Sequence, residues 1–167
     1  FGNTERVLEI IKKNAERVVL DNKILFSVGG EHLVTYPLVE AYYKKYKDEL
    51  VILHFDAHTD LRDDYMGEKL SHASVIKRIY DMVGRDKIYQ FCIRSGEKDE
   101  FSYHEKGIFQ EKFKFTKLEE IIEKIKGRPV YVTIDLDVLD PSIFSGTGTP
   151  EAGGINFHEM LDLIKVL

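Results

Sequence analysis

Short apolar runs of strand length alternate with segments of helical periodicity along almost the whole chain. This alternation is typical of βαβ units, in which helices join parallel strands. It therefore predicts an α/β fold with a mainly parallel central sheet and helices on both faces. The predicted strands cover residues 23–28, 50–55, 87–93, 113–115 and 130–134. The predicted helices cover residues 4–18, 33–47, 71–82 and 118–126, and a last one begins at Ile155.

The composition narrows the class of protein. With 167 residues, 43% of them hydrophobic, the chain is predicted to form a single domain over residues 1–167. A net charge of −5 argues against a nucleic-acid partner, and no apolar run has the length that crossing a membrane requires. The single cysteine, Cys92, excludes an internal disulfide and favours a cytoplasmic location. Because the chain starts at Phe1 and stops inside a helical pattern, we expect it to be truncated at both ends.

The segment Leu50–Asp60 joins an apolar run to three potential metal ligands. Asp56, His58 and Asp60 stand at every second position after the predicted strand. In an extended chain, side chains two residues apart point the same way, so two carboxylates and an imidazole would converge at the strand end. Oxygen ligands with one imidazole suit a divalent first-row cation such as Mn²⁺ better than a structural zinc.

Asp135 and Asp137 repeat this spacing after the apolar run 130–134. Such a pair alone favours a strand-end turn in which aspartates cap backbone amides. Two pairs together with His32, all close behind predicted strands, favour a metal site instead. Six candidate ligands exceed what one ion with an open position needs. They therefore predict two ions that share carboxylates and hold a water, which becomes a nucleophile for hydrolysis near neutral pH.

Five motifs, in this order, resemble those of the ureohydrolases, which are the arginases, agmatinases and their relatives. They are GGEH (Gly29–His32), DAHTD (Asp56–Asp60), SHAS (Ser71–Ser74), DLDVLDP (Asp135–Pro141) and GTGTPEAGG (Gly146–Gly154). The resemblance implies a three-layer arginase-like α/β sandwich with two Mn²⁺ per subunit. It implies hydrolysis of a small guanidino substrate to urea and an amine. It also implies a homo-oligomer, either a trimer or a hexamer.

Carried over by motif, the resemblance implies a ligand set for each ion. One Mn²⁺ would be held by His32, Asp56, Asp60 and Asp135, and the other by Asp56, His58, Asp135 and Asp137. A hydroxide bridging the two ions would attack the guanidinium carbon, and Asp60 would accept its proton. The glutamate that grips the guanidinium in this family lies in a later motif, which the chain does not reach.

Two further histidines are open to more than one interpretation. His72 matches the proton-shuttle histidine of the family, and an imidazole is suited to proton transfer near neutral pH, although alone this residue would be interpreted as an exposed histidine at a helix start. His54 alternates with Asp56 and could face the site, but a buried histidine with satisfied hydrogen bonds is the favoured interpretation.

The segment after DAHTD is similar to that of agmatinases, because it lacks the asparagine and the serine-rich run of arginases. Its acidic residues, Asp63 among them, would suit a dication such as agmatine, although an ordinary solvated loop is the alternative. Glu151, in TPEAGG, is a second candidate substrate contact. The predicted reaction is therefore cleavage of agmatine to urea and putrescine, with arginine or guanidinobutyrate as alternative substrates.

Two other classes remain open. The run VTIDLDVLD also fits a magnesium-dependent phosphatase of the haloacid-dehalogenase type, with Asp135 as nucleophile, but this leaves DAHTD, His32 and His72 without a role. A non-catalytic ureohydrolase-like protein that binds a metal or a partner is the third possibility. The ligand types present argue against it.

Overall fold

The computed structural model describes residues 3–167, which form two compact units. The helical unit comprises residues 3–50 and 60–84, and the sheet unit comprises residues 51–59 and 85–167. Within residues 3–167, no helix combines the length and the apolar character that crossing a membrane requires.

The helical unit is built from three α-helices, α1 (Thr4–Leu20), α2 (Thr35–Tyr46) and α3 (Val75–Val83). The predicted start of α1 is confirmed, because the Asn3 side chain accepts a hydrogen bond from the amide of Arg6 at 3.0 Å. Short 3₁₀ turns at His32–Val34 and His72–Ser74 lead into α2 and α3. These turns carry two of the histidines that the motifs single out.

The sheet unit holds four parallel strands, which are β1 (Val51–Phe55), β2 (Ile88–Ile93), β3 (Phe109–Lys112) and β4 (Val130–Ile134). Their order in the sheet is β3-β2-β1-β4. The helices of this unit are α4 (Lys98–Phe101), α5 (Leu118–Ile125) and α6 (Phe157–Val166). The predicted α/β class with a parallel sheet is confirmed.

The core of the sheet unit is centred on β1, in which every residue is buried. Val51, Leu53 and Phe55 belong to one apolar cluster with side chains of α5 and α6, and Phe55 stacks on Phe91 with 5.2 Å between ring centroids. Ile52 and His54, on the opposite face of the strand, are also fully buried. A strand buried on both faces explains the continuous apolar run in the sequence.

Two predicted strands are wrong. Residues 23–28 are in no strand, and Ile24 and Phe26 are 94% and 88% exposed. An apolar, β-branched sequence forms a strand only where a neighbouring strand pairs with it, and none within residues 3–167 does so. The strand predicted at 113–115 lies earlier, at Phe109–Lys112, because Phe113 adopts a left-handed backbone (φ 61°) that ends the extended segment.

Candidate metal centre

The ends of β1 and β4 lie side by side at the same edge of the sheet. Phe55, the last residue of β1, is paired with Ile134, the last residue of β4, and the amide of Asp135 donates to the carbonyl of Phe55 at 2.9 Å. Because the two strands are parallel, Asp56 and Asp135 begin the two adjacent loops at the carboxyl end of the sheet. Open α/β sheets bind their ligands at this end.

The first aspartate of each motif turns the chain. The Asp56 carboxylate accepts a hydrogen bond from the amide of His58 at 2.6 Å, and the Asp135 carboxylate accepts one from the amide of Asp137 at 3.0 Å. Asp137 accordingly lies in a short 3₁₀ turn, Leu136–Val138, and not in an extended strand. Local turns of this kind, rather than strand alternation, position the side chains at 58 and 137.

Asp56, His58 and Asp137 converge in the sheet unit. His58 Nδ1 lies 2.9 Å from Asp137 Oδ2 and 3.4 Å from Asp56 Oδ1, and one potential ligand atom from each residue falls within 4.8 Å of the others. The amide of Ala57 donates to Asp137 Oδ1 at 3.0 Å, which fixes that carboxylate against the end of β1. Asp56 and Asp137 are 1% and 3% exposed.

The electrostatics of this cluster indicate an excess of buried negative charge. Burial by itself lowers the pKa of His58, but the hydrogen bonds with Asp137 and Asp56 outweigh it and raise the pKa to about 10. Burial raises the pKa of Asp137 to about 6, and the charges of Asp56 and Asp135 act in the same direction, while the hydrogen bond with His58 opposes them. A proton on His58 thus supplies the positive charge that the carboxylates attract.

The donor set fits a divalent cation. Two carboxylates and one imidazole supply hard oxygen ligands and a nitrogen, which is the chemistry that Mn²⁺ accepts. A divalent cation would also supply more positive charge than the single proton on His58. Metal binding would therefore offset the burial, and the nearby charges of Asp56 and Asp135, that keep the pKa of Asp137 high.

Asp135 is half-buried and caps the turn that contains Asp137. Its carboxylate is not in the group of three whose ligand atoms converge, among the groups found in residues 3–167. The backbone hydrogen bond from Asp135 to Phe55 places Asp135 next to the cluster. Its role as a shared ligand stays a prediction.

Glu151 borders the cluster in the sheet unit. Its Oε1 atom lies 3.7 Å from His58 Nε2 and accepts a hydrogen bond from the Ser95 hydroxyl at 2.8 Å. The Glu151 side chain is 42% exposed, so its carboxylate is both held in place and open to solvent.

Arg94 is a residue of this site that the sequence did not reveal. It follows β2, and its guanidinium donates to the carbonyls of Asp137 at 2.6 Å and Glu151 at 2.9 Å. It therefore ties the turn that carries a candidate ligand to the loop that carries Glu151. Its position directly after an apolar strand indicates a place at the site edge of the sheet. Its partners could not be predicted, because they are 43 and 57 residues away along the chain.

The helical unit brings together two other predicted ligands. His32 Nδ1 lies 3.0 Å from Asp60 Oδ2, and both side chains are less than 10% exposed. Asp60 adopts a left-handed backbone with φ 54°, which turns the chain sharply after DAHT. The extended geometry expected for residues 56–60 is therefore wrong, although His32 and Asp60 are in contact.

His72 and Asp63 also lie in the helical unit. His72 Nδ1 lies 3.3 Å from Glu31 Oε1, and the His72 side chain is 48% exposed. Glu31 was not singled out from the sequence, although it precedes His32 in the GGEH motif. Asp63 is 82% exposed and forms an ion pair with Lys77 at 3.3 Å, so its negative charge is partly neutralised.

Comparisons with known proteins show the family of the chain. The Arginase family profile matches residues 1–167. The chain is 46% identical to the agmatinase of Halalkalibacterium halodurans, over 100% of this chain and 58% of that protein. It is 49% identical to the agmatinase of Bacillus subtilis, over 96% of this chain and 56% of that protein.

The fold is shared with a crystal structure of a Clostridium difficile protein that is provisionally named agmatinase. The two superpose with a TM-score of 0.96 at 50% identity, over 99% of this chain and 60% of that one. The chain thus spans less than two thirds of the length of each of these three relatives. The family match over all 167 residues and the shared fold show that this chain belongs to the arginase family.

Proposed function

We propose that the protein is a manganese-dependent ureohydrolase that cleaves agmatine to urea and putrescine. The observation that carries this proposal is the convergence of Asp56, His58 and Asp137 behind two adjacent parallel strands. In a chain of the arginase family, a cluster of this composition supports hydrolysis of a guanidino group. The same family membership weighs against the phosphatase alternative, which would give His58 no role.

The proposed ligands of one Mn²⁺ are Asp56, His58, Asp135 and Asp137. His32 and Asp60, which contact each other in the helical unit, are proposed ligands of a second Mn²⁺. When bound, such ions act as Lewis acids and lower the pKa of a bound water towards neutrality.

Residues of the chain have to accept the proton that the water loses and donate a proton to the departing amine. Hydrolysis forms a carbon–oxygen bond at the guanidinium carbon and breaks a carbon–nitrogen bond, and the departing amine takes up a proton. We assign this proton transfer to His72, because its imidazole is half exposed and Glu31 holds its Nδ1. Asp60 is the proposed acceptor of the proton that the water loses.

The choice of agmatine is supported by the two agmatinases that resemble the chain and by Glu151, whose carboxylate borders the cluster of the sheet unit. Glu151 is the better-placed of the two predicted substrate contacts, because its partly exposed carboxylate lies 3.7 Å from His58. Asp63 remains a proposed contact, although its ion pair with Lys77 weakens its attraction for a cationic substrate. Agmatine and arginine both carry a guanidinium and an amine, but arginine also carries a carboxylate beside its amine, so acidic contacts favour agmatine.

The test is urea and putrescine release by the full-length protein loaded with Mn²⁺, with agmatine, arginine and guanidinobutyrate assayed in parallel. We expect urea and putrescine from agmatine, and little urea from the other two compounds. Urea from arginine or guanidinobutyrate at an equal rate would contradict the choice of substrate. No urea from any of the three would contradict the proposed chemistry.

A further inference from the structure

His54 is a buried histidine next to a proposed ligand. It lies in β1, is 0% exposed, and its Nε2 atom is 2.8 Å from Asp56 Oδ2. Its other ring nitrogen, Nδ1, lies 2.9 Å from the Nε2 atom of Gln90, a residue of β2 that is also 0% exposed. Both ring nitrogens therefore have partners in the sheet unit.

The direction of these hydrogen bonds follows from groups that can only accept. The Gln90 amide atom that faces His54 also lies 2.7 Å from the backbone carbonyl oxygen of Thr59. A carbonyl oxygen has no hydrogen to donate, so this atom of Gln90 is the NH₂ nitrogen. The opposite atom, Gln90 Oε1, consistently accepts a hydrogen bond from the Gln110 side chain at 2.8 Å.

The orientation of Gln90 decides the tautomer of His54. The Gln90 NH₂ group donates to His54 Nδ1, which must be an unprotonated acceptor. The neutral ring then carries its hydrogen on Nε2, and it donates this hydrogen to Asp56 Oδ2. Neither ring nitrogen keeps a lone pair for a cation, because one accepts from Gln90 and the other carries a hydrogen.

We propose that His54 is a positioning residue that orients Asp56 for metal binding, with its tautomer set by Gln90, and that it is not itself a ligand. The inference rests on the proposed role of Asp56 as a ligand. His54 holds Asp56 Oδ2 while the amide of His58 holds Oδ1, so the plane of the carboxylate is fixed from both sides. Partners of this kind typically contribute ~10- to 100-fold to metal affinity.

The tautomer can be tested in the unmodified protein. Nitrogen-15 NMR of the histidine rings in the metal-free, full-length protein distinguishes a protonated from an unprotonated nitrogen. We expect His54 to show a protonated Nε2 and an unprotonated Nδ1, and to lose this pattern in Gln90→Met, which keeps the bulk of the side chain without the donor. A protonated Nδ1 in the wild-type protein would overturn the proposal.

The effect on metal binding is tested with two variants at the same position. His54→Leu removes the donor, whereas His54→Gln retains an amide hydrogen near the position of Nε2. We expect Mn²⁺ titration to show ~10- to 100-fold weaker binding for His54→Leu and a clearly smaller loss for His54→Gln. The exposed His104, changed to Leu, serves as the control and should bind Mn²⁺ like the wild-type protein.

These outcomes separate the inference from the function on which it rests. Equal Mn²⁺ affinity in the wild-type protein and in His54→Leu would overturn the positioning role and leave the proposed hydrolase intact. Loss of Mn²⁺ from His54→Gln as severe as from His54→Leu would also overturn it, because a retained donor should rescue binding. Failure of the wild-type protein to bind Mn²⁺ would instead contradict the proposed function, and the NMR pattern would still decide the tautomer.

Discussion

Asp56 and Asp135 stand two residues before His58 and Asp137, and the hydrogen bonds from the amides of His58 and Asp137 explain this spacing. Each aspartate accepts the amide hydrogen of the second residue after it and so turns the chain out of the strand. The spacing is thus a signature of a turn, which confirms one interpretation made from the sequence, while the ligand-pair interpretation stays a prediction. The structure brings together Asp56, His58 and Asp137, which the sequence had singled out, although the extended geometry assumed for residues 56–60 is wrong.

The sequence did not predict the roles of residues whose partners are distant along the chain. Arg94 has its carbonyl partners 43 and 57 residues away, and Glu31 contacts His72 across 41 positions. No local pattern encodes such contacts, since they form only once the units are folded. His54 is intermediate, because its burial was predicted but the role of Gln90 in fixing its tautomer was not.

At the residue scale, His72 is the side chain whose loss should separate metal binding from turnover. For His72→Ala in the full-length protein, we expect both Mn²⁺ ions to be retained and kcat to fall by ~10²- to 10⁴-fold, as is usual for loss of a proton-transfer group. Mn²⁺ content and urea release check this, with His104→Ala as the control. Loss of Mn²⁺ from His72→Ala would make His72 a ligand and contradict the assignment.

Among the elements of the sheet unit, the loop from 141 to 154 is organised by Asp140. Hydrogen bonds to its carboxylate lower the pKa of Asp140 from 3.8 to about 2. Those from Ser142 have the largest effect, and the amides of Gly153 and Gly154 add to it. A lowered pKa means that its contribution to stability is present above pH 3.8 and is lost as the pH falls towards 2.

The variant Asp140→Asn tests this pH dependence. Because the carboxylate stays ionised in the folded protein, we expect Asp140→Asn to be less stable than the wild-type protein by the same amount at pH 7 and pH 5. The difference should shrink only below about pH 4. Chemical denaturation at several pH values measures it. A difference that already disappears between pH 7 and pH 5 would rule out Asp140 as its origin.

Arg94 links three elements of the sheet unit, which are the end of β2, the turn 136–138 and the loop that carries Glu151. A lysine at this position keeps the charge but cannot reproduce the planar fork of donors. We expect Arg94→Lys to lower the free energy of unfolding by ~1–3 kcal/mol, because buried carbonyls lose their partners.

The control is Arg85→Lys, at a position with one long contact to a backbone carbonyl, and it should change the free energy of unfolding by less than about 0.5 kcal/mol. Equal effects of the two variants would contradict the linking role.

Gly154 marks a close approach of two backbone segments. A Cβ atom at this position would lie 2.5 Å from the carbonyl carbon and 2.7 Å from the carbonyl oxygen of Leu139. Backbone hydrogen bonds between residues 138–140 and residue 155 hold the two segments together. We expect Gly154→Ala to lower the free energy of unfolding by ~1–3 kcal/mol. Gly146→Ala is the matched control from the same loop, because nothing lies within 4 Å of its Cβ position. A destabilisation of Gly146→Ala as large as that of Gly154→Ala would contradict this explanation.

The strands show which elements sequence patterns can predict. β1, β2 and β4 were predicted within one residue, because each has a mostly apolar sequence; in β1 and β2 every residue is buried. The run at 23–28 has the same character but is not in a strand, since apolar character cannot report whether a pairing partner is present. β3 was misplaced because its sequence, FQEK, has little apolar signal.

At the scale of the whole molecule, the family membership extends over all 167 residues, while the chain spans 56–60% of the length of the relatives described above. His32, Asp60 and His72 belong to the helical unit, and Asp56, His58 and Asp137 belong to the sheet unit. The full-length protein is therefore the right object for every activity measurement.

The most direct measurement is the Mn²⁺ content per chain of the full-length protein and of its Asp137→Asn variant. Asp162→Asn is the control, because Asp162 is an exposed aspartate on α6 that pairs with Lys165. The proposed centre predicts two Mn²⁺ in the wild-type and control proteins, and one Mn²⁺ with most urea release from agmatine lost in Asp137→Asn. Two tightly held Mn²⁺ and normal urea release in Asp137→Asn would contradict a metal centre built on Asp56, His58 and Asp137.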